Sequence, residues 1–233
     1  MLNLLIVGPA LLPFLFYTYI EGYLDQSNEV LLKVVEYATL IPAAIYIFPA
    51  IVATVDVLRM YQENTTKGVF KEFFKSLFKH FLKSFIVSIC IFLILFILLM
   101  DFPTFKGPLL YFISNLHRFE CLIGLMITLS FLLLIVIMLT HLPLVMVYFD
   151  GLSLLQYFKL SFIMAFKNVW KTLIILLIII GFIGVDLLIP AISPVILFIV
   201  GISLPLYFIV RISFKEYIKI YRKVERRENE ESI

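Results

Sequence analysis

Long apolar runs separated by short polar stretches recur from one end of the chain to the other. Several reach the roughly 18 to 20 residues that a helix needs to cross about 30 Å of hydrocarbon. Leu2 to Ile20 is free of charge and interrupted by Pro9 and Pro13. It lacks the basic n-region and small-residue cleavage site of a signal peptide, so it is expected to be a retained first span. Val34 to Arg59, containing Pro42 and Pro49, predicts a second span, and Ser84 to Met100, with no charge, a third that ends at Asp101. A fourth runs from about Leu122 to Phe149, interrupted by His141 and Pro143, and a fifth from Thr172 to Ile189. Pro190 and Pro194 mark a tight hairpin into a sixth span ending near Arg211. Glu21 to Lys33 reads as a polar connection, and 101–120 as a loop with a short interfacial helix. The expectation is an all-α integral membrane protein of about six transmembrane helices. A single transmembrane domain covers 1–213, and a basic, helical tail covers 214–233, fraying from Glu228.

Two stretches break the pattern in the same way. In the first, Phe70, Phe73, Phe74, Leu77, Phe78, Phe81 and Phe85 recur at three- and four-residue spacing, which places them on one helical face. Lys71, Lys75, Lys79 and Lys83 take the other. Phe70-Lys71, Phe74, Phe78-Lys79, Lys83 and Ser84 return 88 positions later as Phe158-Lys159, Phe162, Phe166-Lys167, Lys171 and Thr172. Both copies are expected to be amphipathic elbow helices, at about 67–83 and 152–171, lying in the membrane interface before turning inward as the next span. Ser153 and Gln156 have the spacing of a capping box at the start of the second. The related units extend over about 34–100 and 122–189, a period that marks an internal repeat.

Composition agrees with the pattern: 63% of the 233 residues are hydrophobic, 15% are charged and the mean hydropathy is +1.09. A soluble domain carries about a quarter charged residues. The net charge of +3 matters through its placement, since 16 of the 19 Lys and Arg follow the second, fourth and sixth spans. The positive-inside rule then puts both elbows and the C-terminus in the cytoplasm. Both units run out to in, elbow, in to out, so the repeat is parallel, about an axis near the membrane normal. This distribution speaks to topology and not to nucleic acid.

Ionisable groups at membrane depth are candidate functional groups because burying them there is costly. Asp56 and Arg59, three apart near the inner end of the second span, are expected to form a local ion pair. His141, about two turns from the inner end of the fourth, reads as a neutral histidine bonded to a neighbouring helix, with a proton relay as the alternative. Pro49 and Pro143 should kink their spans, leaving a cavity near the freed carbonyls. Glu36 and Asp186 lie close enough to the outer surface to reach water, and Cys90 and Cys121 read as packing residues. His117 and Glu120 lack the third ligand a metal site requires. The elbow residues Lys71, Lys75, Phe78, Lys79, Lys83, Lys159, Phe166, Lys167, Trp170 and Lys171 form a surface for anionic lipid or a partner protein. No nucleophile elbow, P-loop, dinucleotide fingerprint or zinc-protease motif is present, so neither an enzyme nor a bound cofactor or metal is expected.

Pro49-Ala50, Ala53, Arg59 and the run Gly68 to Lys75 resemble the first half of the YesL-like family of bacterial membrane proteins. Leu142-Pro143-Leu144, Phe149-Asp150 and the stretch from Phe158 to Leu173 are similar to its later proline, aspartate and basic-elbow pattern, a coverage of about 34–189. The apolar first segment, Asp56 and the long basic tail depart from that pattern. The resemblance implies a multi-pass protein of the plasma membrane in Gram-positive bacteria, of unknown function, found in the company of carbohydrate ABC importers. It therefore implies an accessory role beside the permease or ATPase subunits of such an importer, and it carries over no catalytic or binding residue. An autonomous small-solute transporter or channel and a bacteriocin-immunity-like protector are the alternative readings, and a homo-oligomer is compatible with each.

Overall fold

Residues 1–23, 29–99, 101–102, 105–116, 118–188 and 202–231 are described by a computed structural model. The elements in chain order are α1 (Leu2–Glu21), α2 (Glu29–Gln62), α3 (Val69–Leu99), β1 (Asp101–Phe102), β2 (Phe105–Lys106), α4 (Pro108–Ser114), α5 (Phe119–Tyr148), α6 (Leu154–Lys167), α7 (Val169–Leu188) and α8 (Ser203–Glu231). The two short strands pair antiparallel, Asp101 opposite Lys106. Among the described residues, α1, α2, α3 and α5 are long and apolar enough to cross a membrane, and a fifth span is formed if the bent pair α6–α7 counts as one. The Pro190–Pro194 hairpin and the first part of the sixth expected span lie outside the described residues, as do His117 and the side chain of Asp186.

The two basic–aromatic segments fold differently. Nothing between Val69 and Leu99 stops a helix, so α3 runs unbroken for 31 residues and the first elbow is its opening half rather than a separate element. In the second copy Asn168 leaves helical geometry, with φ −116° and ψ 42°, and ends α6. The chain then turns by 98° into α7. The residue 88 positions earlier is His80, which stays helical and is buried. At the start of α6 the Ser153 backbone N–H donates to Gln156 Oε1 at 2.8 Å, the arm of the capping box that the spacing predicted. Gly151 precedes it at φ 92°, a backbone region open to glycine at little cost.

The buried core gathers at one end of the bundle. Most of it is Val52 to Leu58 of α2, Phe73 and Leu77 of α3, Leu142 to Tyr148 of α5, Tyr157 and Met164 of α6, and residues between Leu206 and Tyr217 of α8, and it continues to Ile6 and Val7 of α1. Toward the other end Leu93, Ile97, Met126, Phe131 and Leu133 stand exposed, an apolar surface suited to lipid. In the connection between α3 and α5, α4 packs so closely on Gly124 that a Cβ there would meet the Phe112 ring at 2.5 Å. Leu5 of α1 accepts a 2.6 Å hydrogen bond from the Tyr46 hydroxyl. Tyr46 precedes Arg59 by 13 residues, or about 20 Å of helix. The first turn of α1 therefore meets the middle of α2, short of the basic end that a full span would reach. There the Asn3 side chain accepts from the backbone amides of Ile202 and Ser203, both at 3.0 Å, and caps the start of α8.

Candidate functional site

A polar layer crosses the bundle at its basic end, and it begins at Asp56. The carboxylate is 1% exposed. Ser76 Oγ of α3 donates to Oδ2 at 2.7 Å, and Arg59 Nη2 lies 2.7 Å from Oδ1, one turn further along α2. His80 Nε2 stands 3.7 Å from Oδ2, within reach of its charge but beyond a hydrogen bond. Arg59 also donates through Nη1 to the carbonyl of Val147 at 3.0 Å, and its guanidinium lies 5.6 Å from the centroid of the Tyr148 ring. One carboxylate thus ties α2 to α3, and its counter-ion ties α2 to the end of α5.

Tyr148 carries the layer onward, its ring 5.2 Å from that of Tyr217 on α8. The Tyr217 hydroxyl lies 3.0 Å from His141 Nδ1, and His141 Nε2 lies 2.9 Å from Thr172 Oγ1 on α7. Thr172 Oγ1 donates to a backbone carbonyl, that of Ala165 at 2.9 Å, with Asn168 at 3.2 Å. A hydroxyl has one proton, so Thr172 accepts from His141, and that sets the tautomer with the proton on Nε2. Nδ1 is then a lone pair that accepts from Tyr217. All the ring's hydrogen-bonding capacity is used in this neutral form, so the arrangement holds four helices together.

Asp150, just past the end of α5, joins it to the opening half of α3. Lys79 Nζ is 3.1 Å and Lys83 Nζ 3.7 Å from its carboxylate. Partial burial pushes the Asp150 carboxyl up, but the hydrogen bond and charge of Lys79, aided by His80 and Lys83, outweigh it and hold the group below its ordinary range. The hydrogen bond from Lys171, at 2.7 Å, does the same for Glu216. Carboxyls depressed in the folded state stabilise it above their unfolded pKa, and that stability is lost as pH falls through the folded value. The melting temperature should accordingly be flat near neutrality and fall below about pH 4. Both pairs are partly exposed, so each contributes less than about 1 kcal/mol, and 1 M salt, with a Debye length of about 3 Å, should flatten the acid limb. Thermal melts over pH and salt check this; an acid limb unaffected by salt would assign it elsewhere.

The outward face of the layer departs from the simple two-sided reading. In α3 the inward stripe is Glu72, Phe73, Ser76, Leu77, His80 and Ser84, more than half of it polar. Phe70, Phe74, Phe78 and Phe81 point outward, Phe78 with 76% exposure, beside the exposed Lys71, Lys75 and Lys79. Buried Asp56 draws the hydroxyl and imidazole inward, and the phenylalanines take the environment that lipid supplies. In the α6–α7 region Lys159, Phe166, Lys167 and Trp170 are likewise exposed, Trp170 at 80%, while Lys171 is half-buried against Glu216.

Between α2, α3, α5, α7 and α8, on the membrane side of the layer, lies an apolar cavity of about 410 Å³. Phe48, Ile91, Leu139 and Pro143 line it, with Ser88 and Thr140 as its hydroxyls. Pro143 and Phe48, the neighbour of Pro49, thus border this cavity, while Pro49 itself does not line it. Among the described residues no group of three His, Cys, Asp or Glu could hold a metal. Cys90 and Cys121 are unbonded.

Asp56, Arg59 and His141 thus belong to one connected layer, and the lysines and aromatics form its rim. Sequence reasoning missed Ser76, His80, Tyr148, Thr172 and Tyr217 as members. A signal for the α3 pair existed: Glu72, Ser76, His80 and Ser84 recur at strict four-residue spacing, a polar stripe overshadowed by the phenylalanines around it.

Residues 30–102, spanning α2 and α3, match a family model described as a protein of unknown function, DUF624. No curated protein and no solved structure matches the chain.

Proposed function

We propose that the chain is a non-enzymatic, multi-pass subunit of the plasma membrane that docks on a transport system through its basic end, and that the partner is the permease or ATPase of a carbohydrate ABC importer. The basic end and the C-terminus are cytoplasmic by the positive-inside rule. In this reading α2–α3 and α5–α7 form two parallel units, α1 reaching only to the middle of α2, and the opening half of α3 and the whole of α6 are their elbows. The observation that carries the proposal is the outward surface just described. Exposed Phe78, Trp170 and lysines project from helices whose inner faces are pinned by Asp56 and His141, so the anchors are held rigid for a partner. Autonomous sugar transport draws less support, because a sugar path needs convergent polar groups and this cavity has an apolar lining with two hydroxyls.

Lys75 and Lys167 are exposed and form no direct ion pair among the described residues, although the Lys167 charge adds to that of Lys171 on Glu216, so they report docking with little disturbance of the fold. Pull-down of tagged protein from native membranes in mild detergent should recover permease or ATPase subunits. Reversing both charges, Lys75→Glu with Lys167→Glu, should lower that recovery by about tenfold or more, since each rim reversal acts through a few tenths to 1 kcal/mol of attraction turned to repulsion. Recovery of the chain alone, or of the same partners by both proteins, would defeat the proposal.

A further inference from the structure

The cavity is partly open rather than sealed within the bundle, and its space is far larger than the few water-sized voids that packed interiors tolerate. Left empty, its walls would forfeit their dispersion contacts, and water would find almost nothing to bond there. Thr140 Oγ1 already donates to the carbonyl of Ile137 at 2.7 Å. The space runs along the helices: Ser88 to Leu95 of α3 and Val136 to Pro143 of α5 each cover seven residue steps, about 10 Å. Its depth follows from the same rise. Ser88 lies about 8 Å and Leu95 about 18 Å beyond Lys83, which faces Asp150 at the basic end, so the cavity occupies the tail region of one leaflet up to the midplane. At that depth the abundant apolar molecule is a lipid chain. Lys79 and Lys83 at that end share the single carboxylate of Asp150 and are half-exposed, so the level just above the cavity keeps a net positive charge, which favours a negative headgroup.

We propose that this cavity is a binding site for an acyl chain of an anionic phospholipid drawn from the leaflet at the basic end. The lipid fills the gap beside Pro143 and keeps five helices in contact around it. The site stands apart from partner docking, because it uses the inner walls of the bundle and docking uses the outer face.

The test uses the full chain in phosphatidylcholine nanodiscs doped with phosphatidylglycerol that carries a photoactivatable diazirine at mid-chain, with adducts mapped by peptide mass spectrometry. Adducts are expected on Ser88 to Leu95 and Val136 to Thr140, several-fold above those on outward Phe131 and Leu133, and competed by unlabelled phosphatidylglycerol. Moving the diazirine to a phosphatidylcholine probe should reduce cavity adducts about fivefold, the factor that one lysine near an anionic surface supplies. Leu139→Trp and Ser88→Leu each place added bulk in the space, and each should reduce cavity adducts several-fold while leaving those on Phe131 and Leu133; Ser88→Leu guards against a misfolded tryptophan variant. Adducts spread evenly over inner and outer residues, or untouched by competition and by Ser88→Leu, would overturn the site. Equal labelling by the two headgroups would overturn its anionic character.

Discussion

Replacing Asp56 with leucine should lower the melting temperature of the detergent-purified protein by roughly 6–12 °C, corresponding to about 3 kcal/mol. The loss comes less from the missing attraction than from what is left behind. Arg59 would keep its bond to the Val147 carbonyl and its place over the Tyr148 ring but lose its counter-ion, while Ser76 would lose its acceptor. Removing one member of a buried ion pair strands the other, whereas removing both can be nearly neutral. The double variant Asp56→Leu with Arg59→Met should consequently melt above Asp56→Leu alone. A double-mutant cycle isolates the coupling, since the two residues are in contact. Leucine is already the residue 88 positions on, at Leu144, which is fully buried, so the second half of the chain meets the same depth without a charge. A single variant that melts like the parent, or a double variant no better than the single, would remove the ion pair from its place at the centre of the layer.

How far the layer could be read from the chain depends on whether its contacts are local. Asp56 and Arg59 are three apart on one helix, so their pairing follows from spacing alone. The long helices α2, α3 and α5 follow from charge-free runs of membrane length, and the capping arm at Ser153 from a four-residue pattern. The contacts that join helices are separated by tens of residues: Lys171 with Glu216, Lys79 with Asp150, His141 with Tyr217. Helical periodicity reports which residues share a face but not what that face meets. That is why the phenylalanine stripe of α3 could be assigned to the membrane interface while Ser76 and His80, the residues that turn inward, went unnoticed. The same limit explains the elbows. Their repeated residues predicted equal structures, yet the break depends on Asn168 in one copy and its absence in the other. Likewise the apolar length of α1 is that of a span, while its depth is set by the bond between Tyr46 and Leu5.

His141 offers the second large effect, and its test separates a structural histidine from a working one. Tyr217→Phe removes the donor to Nδ1 and leaves a buried lone pair unsatisfied, and Thr172→Val removes the acceptor for Nε2–H. Each should destabilise by about 1–3 kcal/mol, the cost of an unpaired buried polar group. His141→Ala removes the ring itself, with its stacking on Tyr217, and should exceed either, at about 3 kcal/mol or more. Because the three side chains form one network, the losses should not add: Tyr217→Phe combined with His141→Ala should melt close to His141→Ala alone. Nitrogen NMR of labelled His141 should show the proton on Nε2 and an unprotonated Nδ1. A histidine that exchanges protons as part of a transport cycle would instead sample both tautomers, and its replacement would abolish flux while sparing the melt. Stability lost across the network with a single tautomer retained is the outcome required if His141 holds α5, α7 and α8 in register beneath the cavity, for that role needs a fixed hydrogen-bond direction at each ring nitrogen.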